Sequence, residues 1–259
     1  MFDSGLGGLS IAQAIIERLP QYDYLYLGDT KRVPYGGRSQ ETIHEFVSEA
    51  LSYLFSSGCE LIILACNTAS AESLRKSQQE YLPANFPERR VLGVIIPTAE
   101  AVSALGEVPK VGVMATASAI ESGAFERELA RNCPRSMVVP RATPLLVPLI
   151  EHDGLKYIGP VLDDYLEALQ DVDAVILGCT HYSLIKQEVR ARVSCPVISQ
   201  DEVVPEKLAN YLFRHPEIES RLSRSGDRRY EVTDLTSGAQ AWANRLTQEP
   251  IRLDRVMIS

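Results

Sequence analysis

Two cysteines stand in matching settings, each at the end of an apolar run and before a pair of polar residues. Residues 60 to 68 read ELIILACNT, and residues 173 to 181 read DAVILGCTH. Each apolar run reads as a buried strand, with Cys66 or Cys179 at its carboxyl end and a helical segment following. A thiol at a helix N-terminus meets backbone N–H groups and the positive end of the helix dipole, which favour the thiolate. An ordinary thiol is mostly protonated at neutral pH, so a modest downward shift turns it into a usable base. Asn67, Thr68 and Thr180 add hydrogen-bonding groups able to hold an anion, and His181 adds a cation when protonated.

Two such thiols opening on one cleft have a specific use. One thiolate removes a proton from a substrate carbon, the opposite thiol returns a proton to the other face, and the stereocentre inverts. A reaction that runs equally in both directions needs near-equivalent groups on both faces, and a duplicated lobe supplies them. The remaining cysteines, Cys59, Cys133 and Cys195, lack this context and read as packing residues. No Cys-x-x-Cys or Cys/His cluster has zinc-site spacing, so no metal is expected. Five cysteines in a long chain also make a disulfide framework an unfitting explanation.

The elements that must position these groups are those of a parallel α/β fold. Short apolar runs at 24–27, 61–64, 91–96, 111–114, 137–139, 174–177 and 196–198 read as strands. They lack in/out alternation, so they read as strands covered on both faces. Amphipathic segments lie between them. The clearest spans 39–57, with Ile43, Phe46, Val47, Ala50, Leu51 and Leu54 on one face, Ser39 as N-cap and Gly58 as stop. Strands alternating with helices indicate parallel sheets with crossover helices, whose ligands sit at the carboxyl ends of the strands. Aligning Cys66 with Cys179 lays residues 62–65 over 175–178, and an equal step back from each cysteine reaches Asp3 and Thr116. We read two similar lobes: residues 1–92 with 205–259, and residues 93–204.

Other segments carry less specific signals. Residues 3–10, DSGLGGLS, form a glycine-rich entry to a helix, and both a ligand-binding turn and a plain turn fit it. It matches neither a P-loop nor a dinucleotide fingerprint. In the loop 28–38, GDTKRVPYGGR, the Lys and Arg side chains read as solvated. Glu151 follows an apolar run; it polarises His181 or tunes Cys179, or it is an exposed helix-end carboxylate.

The chain has 259 residues, 45% hydrophobic and 23% charged, with a net charge of −8. That size permits one large α/β domain or two smaller ones. The acidic balance argues against nucleic acid as a partner. No apolar run is long enough to span a bilayer and no signal peptide opens the chain, so a cytoplasmic protein without a membrane partner is expected.

Taken in order, the motifs resemble the bacterial glutamate racemases, within the cofactor-independent aspartate/glutamate racemase family. The matching residues are Asp3-Ser4-Gly5, Gly7-Gly8-Leu9-Ser10, Pro34-Tyr35-Gly36, Ala65-Cys66-Asn67-Thr68-Ala69-Ser70, Gly178-Cys179-Thr180-His181-Tyr182 and the late Thr236-Ser237-Gly238. The resemblance implies an α/β fold of two pseudo-symmetric lobes, each a mostly parallel sheet flanked by helices, with the site in the cleft between them. It implies that Cys66 and Cys179 are the acid/base pair and that Asp3, Glu151 and His181 support them. It implies that Asp3, Ser4, Tyr35, Gly36, Asn67, Thr68, Thr180 and His181 contact the amino acid. It further implies no pyridoxal phosphate and no metal, a homodimer, and D-glutamate for the cell-wall peptide as product.

Three departures stand out. The first strand is short, so either the true start lies upstream or the lobe edge is looser. Thr143 replaces a common cysteine, and Ser183 replaces a common proline. Those two bear on the substrate side chain. A racemase for aspartate or another amino acid on the same two thiols is the nearest alternative, and a thiol hydrolase or an amino-acid sensor are alternatives of other kinds.

Overall fold

The structure, a computed structural model, describes residues 1–258. Ten strands form two parallel sheets. The first contains β1 (Phe2–Asp3), β2 (Tyr24–Gly28), β3 (Leu61–Leu64), β4 (Arg90–Gly93), β9 (Arg228–Val232) and β10 (Asp254–Arg255), in the order β10-β9-β2-β1-β3-β4. The second contains β5 (Lys110–Ala115), β6 (Met137–Ala142), β7 (Ala174–Gly178) and β8 (Val197–Ser199), in the order β6-β5-β7-β8.

The duplication is visible in these orders: β2-β1-β3-β4 and β6-β5-β7-β8 are the same arrangement. Phe2 pairs with Leu64, and Met114 pairs with Leu177. Cys66 and Cys179, each two residues further on, therefore occupy equivalent places. The same registers match Ser4 with Thr116 and Asp3 with Ala115. This corrects the equivalence of Asp3 with Thr116 read from spacing, because the segment between the paired strands is one residue longer in the second lobe.

The inner strands are apolar because helices cover both faces. β7 is buried along its whole length and β3 from Ile62 onward. The helix Gln40–Ser56 buries Ile43, Val47, Ala50, Leu51 and Leu54. Ser39 caps it by accepting from the Thr42 amide at 3.3 Å, a contact worth about 1 kcal/mol. Gly58, at φ +91, ends it in a conformation that a side chain disfavours.

The chain leaves the first sheet after β4 through the helix Ile95–Ser103, which packs Ile95, Ala99 and Val102 against Val111 and Val113 of β5. It returns through the helix Gln200–Arg214, whose Val204 and Leu208 share a core with Ile11, Ala12 and Ile15. The strand expected over 91–96 ends at Gly93. Val94 already has helical backbone angles, and the apolar run continues because Val94 and Ile95 face two different cores. β9 and β10 answer to no apolar run. β9 reads Arg-Arg-Tyr-Glu-Val and lies toward the polar edge of its sheet. β1 is two residues long; the Met1 ammonium donates to Leu25 O at 2.5 Å, and Met1 O accepts from the Leu27 amide at 2.9 Å. Among the described residues no helix is long and apolar enough to cross a membrane.

Candidate active site

The carboxyl ends of β1, β3, β5 and β7 present Asp3, Cys66, Thr116 and Cys179, and contacts between the loops that follow join the two lobes. Thr68 Oγ1 lies 3.1 Å from Thr116 Oγ1. Ser10 Oγ donates to Thr180 O at 3.2 Å. One loop reaches Cys66 and the two residues that follow Cys179. At its start, Ser4 Oγ lies 3.3 Å from Cys66 Sγ. Further along, Gly7 packs so closely that a Cβ there would stand 2.5 Å from both His181 Cε1 and Thr180 Oγ1. Only glycine fits at that contact.

Cys66 is the N-cap of the helix Asn67–Lys76, and its Sγ accepts from the Ala69 amide at 3.4 Å. The helix N-terminus expected beside this thiol is present, but it does not make the thiolate the favoured form. Burial, with the negative charge of Asp3 adding to it, pushes the Cys66 thiol up to about 12 against the hydrogen bonds from Ser4 and Ala69. At neutral pH Cys66 is therefore a thiol.

Cys179 has a different setting. A 3-10 segment, Thr180–Ile185, follows it, and among the described residues no backbone N–H caps its sulfur. The expected helix dipole is replaced by an imidazole: His181 Nδ1 lies 3.8 Å from Cys179 Sγ and 3.4 Å from Thr180 Oγ1. His181 Nε2 lies 2.8 Å from Glu151 Oε1. Burial works against a charged imidazole, yet the bonds to Cys179 and Glu151 carry His181 up to about 10. Burial alone would raise Glu151, but its bond to His181 holds the carboxyl below its ordinary range. The pair is an imidazolium and a carboxylate at neutral pH. Of the two readings open for Glu151, the geometry favours the one beside His181.

Asp3 is 2% exposed and accepts from the Gly5 amide at 3.0 Å. Burial raises its carboxyl, opposed by the charge of His181 and the amides of Gly5 and Gly8. Asn67, Thr68, Thr180 and His181 are buried with the two cysteines. The Asn67 amide is not free: it pairs with Gln200. Tyr35 is buried, and its hydroxyl donates to Asp29 Oδ2 at 2.6 Å, which leaves the backbone of Tyr35 and Gly36 on the side of Thr116.

Arg32 departs from the solvated reading of its loop. It donates to Asp29 Oδ2 at 2.5 Å and lies over the Phe46 ring at 4.1 Å, whereas Lys31 and Arg38 are exposed. Thr236 caps the helix Ser237–Leu246 at an exposed corner. Cys59, Cys133 and Cys195 are partly buried and pack against core clusters. Gln200 went unnoticed in the sequence, although its place directly after β8 is a strand end like those of the two thiols.

The profile of the Asp/Glu/hydantoin racemase family matches residues 9–242, and the chain belongs to that family. Among its similar relatives are glutamate racemases. The enzyme of that name from Dinoroseobacter shibae is 37% identical over 234 residues, covering 84% of this chain and 85% of its own. The crystal structure of glutamate racemase isoform RacE1 from Bacillus anthracis matches with a TM-score of 0.88 at 30% identity, over 99% of this chain and 96% of the other. The Francisella tularensis glutamate racemase, crystallised in complex with D-glutamate, also gives 0.88 at 30% identity, over 99% and 95%.

Proposed function

We propose that this chain interconverts L- and D-glutamate by moving a proton off and onto Cα between Cys66 and Cys179. The observation that carries this reading is the loop from Ser4 to Gly7, which touches Cys66 at one end and the His181 partner of Cys179 at the other. The thiolate on one side takes the Cα proton and leaves the electron pair on carbon, delocalised into the α-carboxylate. The thiol on the other side donates its proton to the opposite face. One thiol and one thiolate remain with their places exchanged, so atoms and charge balance in both directions.

Asp3 is the partner for the substrate ammonium. A cation placed there cancels the negative charge that helps Cys66 keep its proton, so substrate binding itself makes the Cys66 thiol easier to ionise. Glu151 and His181 form the corresponding support for Cys179, with the imidazolium proton within reach of its sulfur. Ser4, Thr68, Thr180 and the Tyr35–Gly36 backbone complete the substrate contacts, together with the Asn67 amide. Six of these groups, Asp3, Tyr35, Asn67, Thr68, Thr180 and His181, are buried, so the two lobes, 1–92 with 205–259 and 93–204, separate to admit the amino acid. No pyridoxal phosphate and no metal enters this route. D-Glutamate destined for peptidoglycan is the product this reading implies, made in the cytoplasm by a homodimer.

L-Glutamate incubated with the protein in heavy water, with no cofactor added, tests the reading. The circular dichroism signal should decay to zero while Cα takes up deuterium. An unchanged signal with no isotope uptake from folded protein would overturn it. Faster turnover of aspartate than of glutamate would leave the two-thiol chemistry and change the substrate.

A further inference from the structure

The Asn67 amide is held from across the fold. Asn67 and Gln200, both 3% exposed, exchange two hydrogen bonds. Asn67 Nδ2 donates to Gln200 Oε1 at 2.7 Å, and Gln200 Nε2 donates to Asn67 Oδ1 at 2.8 Å. Such a reciprocal pair does not fix its own polarity, because turning both amides over leaves the same two bonds. A further contact decides it. Thr98 Oγ1 donates to Val94 O at 2.6 Å, so it turns lone pairs toward Gln200 Nε2, which lies 3.3 Å away. Val94 O, 3.5 Å from Nε2, can only accept. Nitrogen is therefore required at that corner of Gln200, and Asn67 must give Nδ2 to Oε1.

The participants come from three separate places. Asn67 directly follows Cys66, Val94 and Thr98 lie where the chain leaves the first sheet, and Gln200 begins the helix by which it returns. One Nδ2–H and one lone pair of Oδ1 remain on Asn67, at opposite ends of its amide. Gln200 decides which end points which way.

We propose that Gln200 is a positioning residue for racemisation: it sets the orientation of the Asn67 amide beside Cys66, and so whether a donor or an acceptor meets the bound amino acid. This rests on the substrate contact assigned to Asn67 above. Gln200→Met keeps the volume and removes the amide. Racemisation is measured in both directions for the wild type, Gln200→Met, Asn67→Ala and the double variant, with a thermal melt of each. Loss of one oriented hydrogen bond should raise KM for both enantiomers about tenfold in Gln200→Met, with a smaller effect on kcat. In the Asn67→Ala background the same substitution should change KM less than about twofold, because the group it acts through is gone.

An active wild type whose KM ignores Gln200→Met, or whose two penalties simply add, would overturn the inference alone. A wild type inert toward both enantiomers would overturn the function reading and this inference with it. If Gln200→Met does not fold, Thr98→Val serves in its place. It removes one acceptor that orients Gln200, keeps both amides, and should raise KM about twofold or more only when Asn67 is present.

Discussion

His181 stands between Glu151 and Cys179, with Nε2 2.8 Å from Glu151 Oε1 and Nδ1 3.8 Å from Cys179 Sγ. Cys66, at the equivalent place in the other lobe, has a hydroxyl and a backbone amide as neighbours instead. The duplicated fold thus sets two thiols in equivalent positions and gives them unequal surroundings: a cation beside one, a buried carboxylate near the other.

This asymmetry has a pH signature. His181 is carried up to about 10 in the folded chain from an ordinary 6.5, so its contribution to stability is complete below about 6.5 and is lost as pH rises through about 10. Glu151, held low, contributes above its ordinary range and loses that contribution as pH falls. Melting temperature should therefore fall between about pH 7 and pH 10, and His181→Asn should flatten that fall. Calorimetry across this range checks it; an equal slope in wild type and variant would contradict the ion pair.

Gly7 leaves no room for a methyl group. In Gly7→Ala the new Cβ would meet His181 Cε1 and Thr180 Oγ1 at 2.5 Å. Relief requires the loop or the imidazole to move, so stability should drop by about 1–3 kcal/mol. Racemisation should fall more than stability accounts for, because the displaced groups are those flanking Cys179. Denaturant melts paired with initial rates separate the two effects.

Thr143 ties Tyr182 in place. Its Oγ1 lies 2.5 Å from the Tyr182 hydroxyl and donates to Ala115 O at 3.1 Å, and both residues are buried. Thr143→Val leaves the phenol its longer bond to Thr143 O at 3.3 Å and should cost about 1–3 kcal/mol. Adding Tyr182→Phe removes the hydroxyl left with only that longer bond and should recover part of that loss, as urea titration of the single and double variants would show.

What was legible in the sequence follows from how local each signal is. β3 and β7 are continuous apolar runs ended by a polar pair, so both strands and both thiols could be read from a few residues. β9 and β10 carry arginines and acids near a sheet edge, where no apolar run is needed, and they left no pattern. The apolar stretch 91–96 crosses a strand–helix junction buried on both sides, and periodicity cannot locate that turn. The pairing of His181 with Glu151 joins residues 30 apart and was one of two readings of Glu151, which the folded chain decides between; that of Asn67 with Gln200 joins residues 133 apart and left no local signal. The protonated state of Cys66 was misread for a related reason. The capping amide is local and legible, but the burial that outweighs it comes from the whole lobe.

The two-thiol exchange is tested most directly by replacing each sulfur in turn. Cys66→Ser and Cys179→Ser are each compared with wild type for racemisation of L- and D-glutamate in heavy water, followed by circular dichroism and by proton NMR at Cα. Each substitution removes one of the two proton-transfer groups and should slow racemisation about 10²–10⁴-fold from both enantiomers while the protein stays folded. Either variant racemising at the wild-type rate would contradict the account.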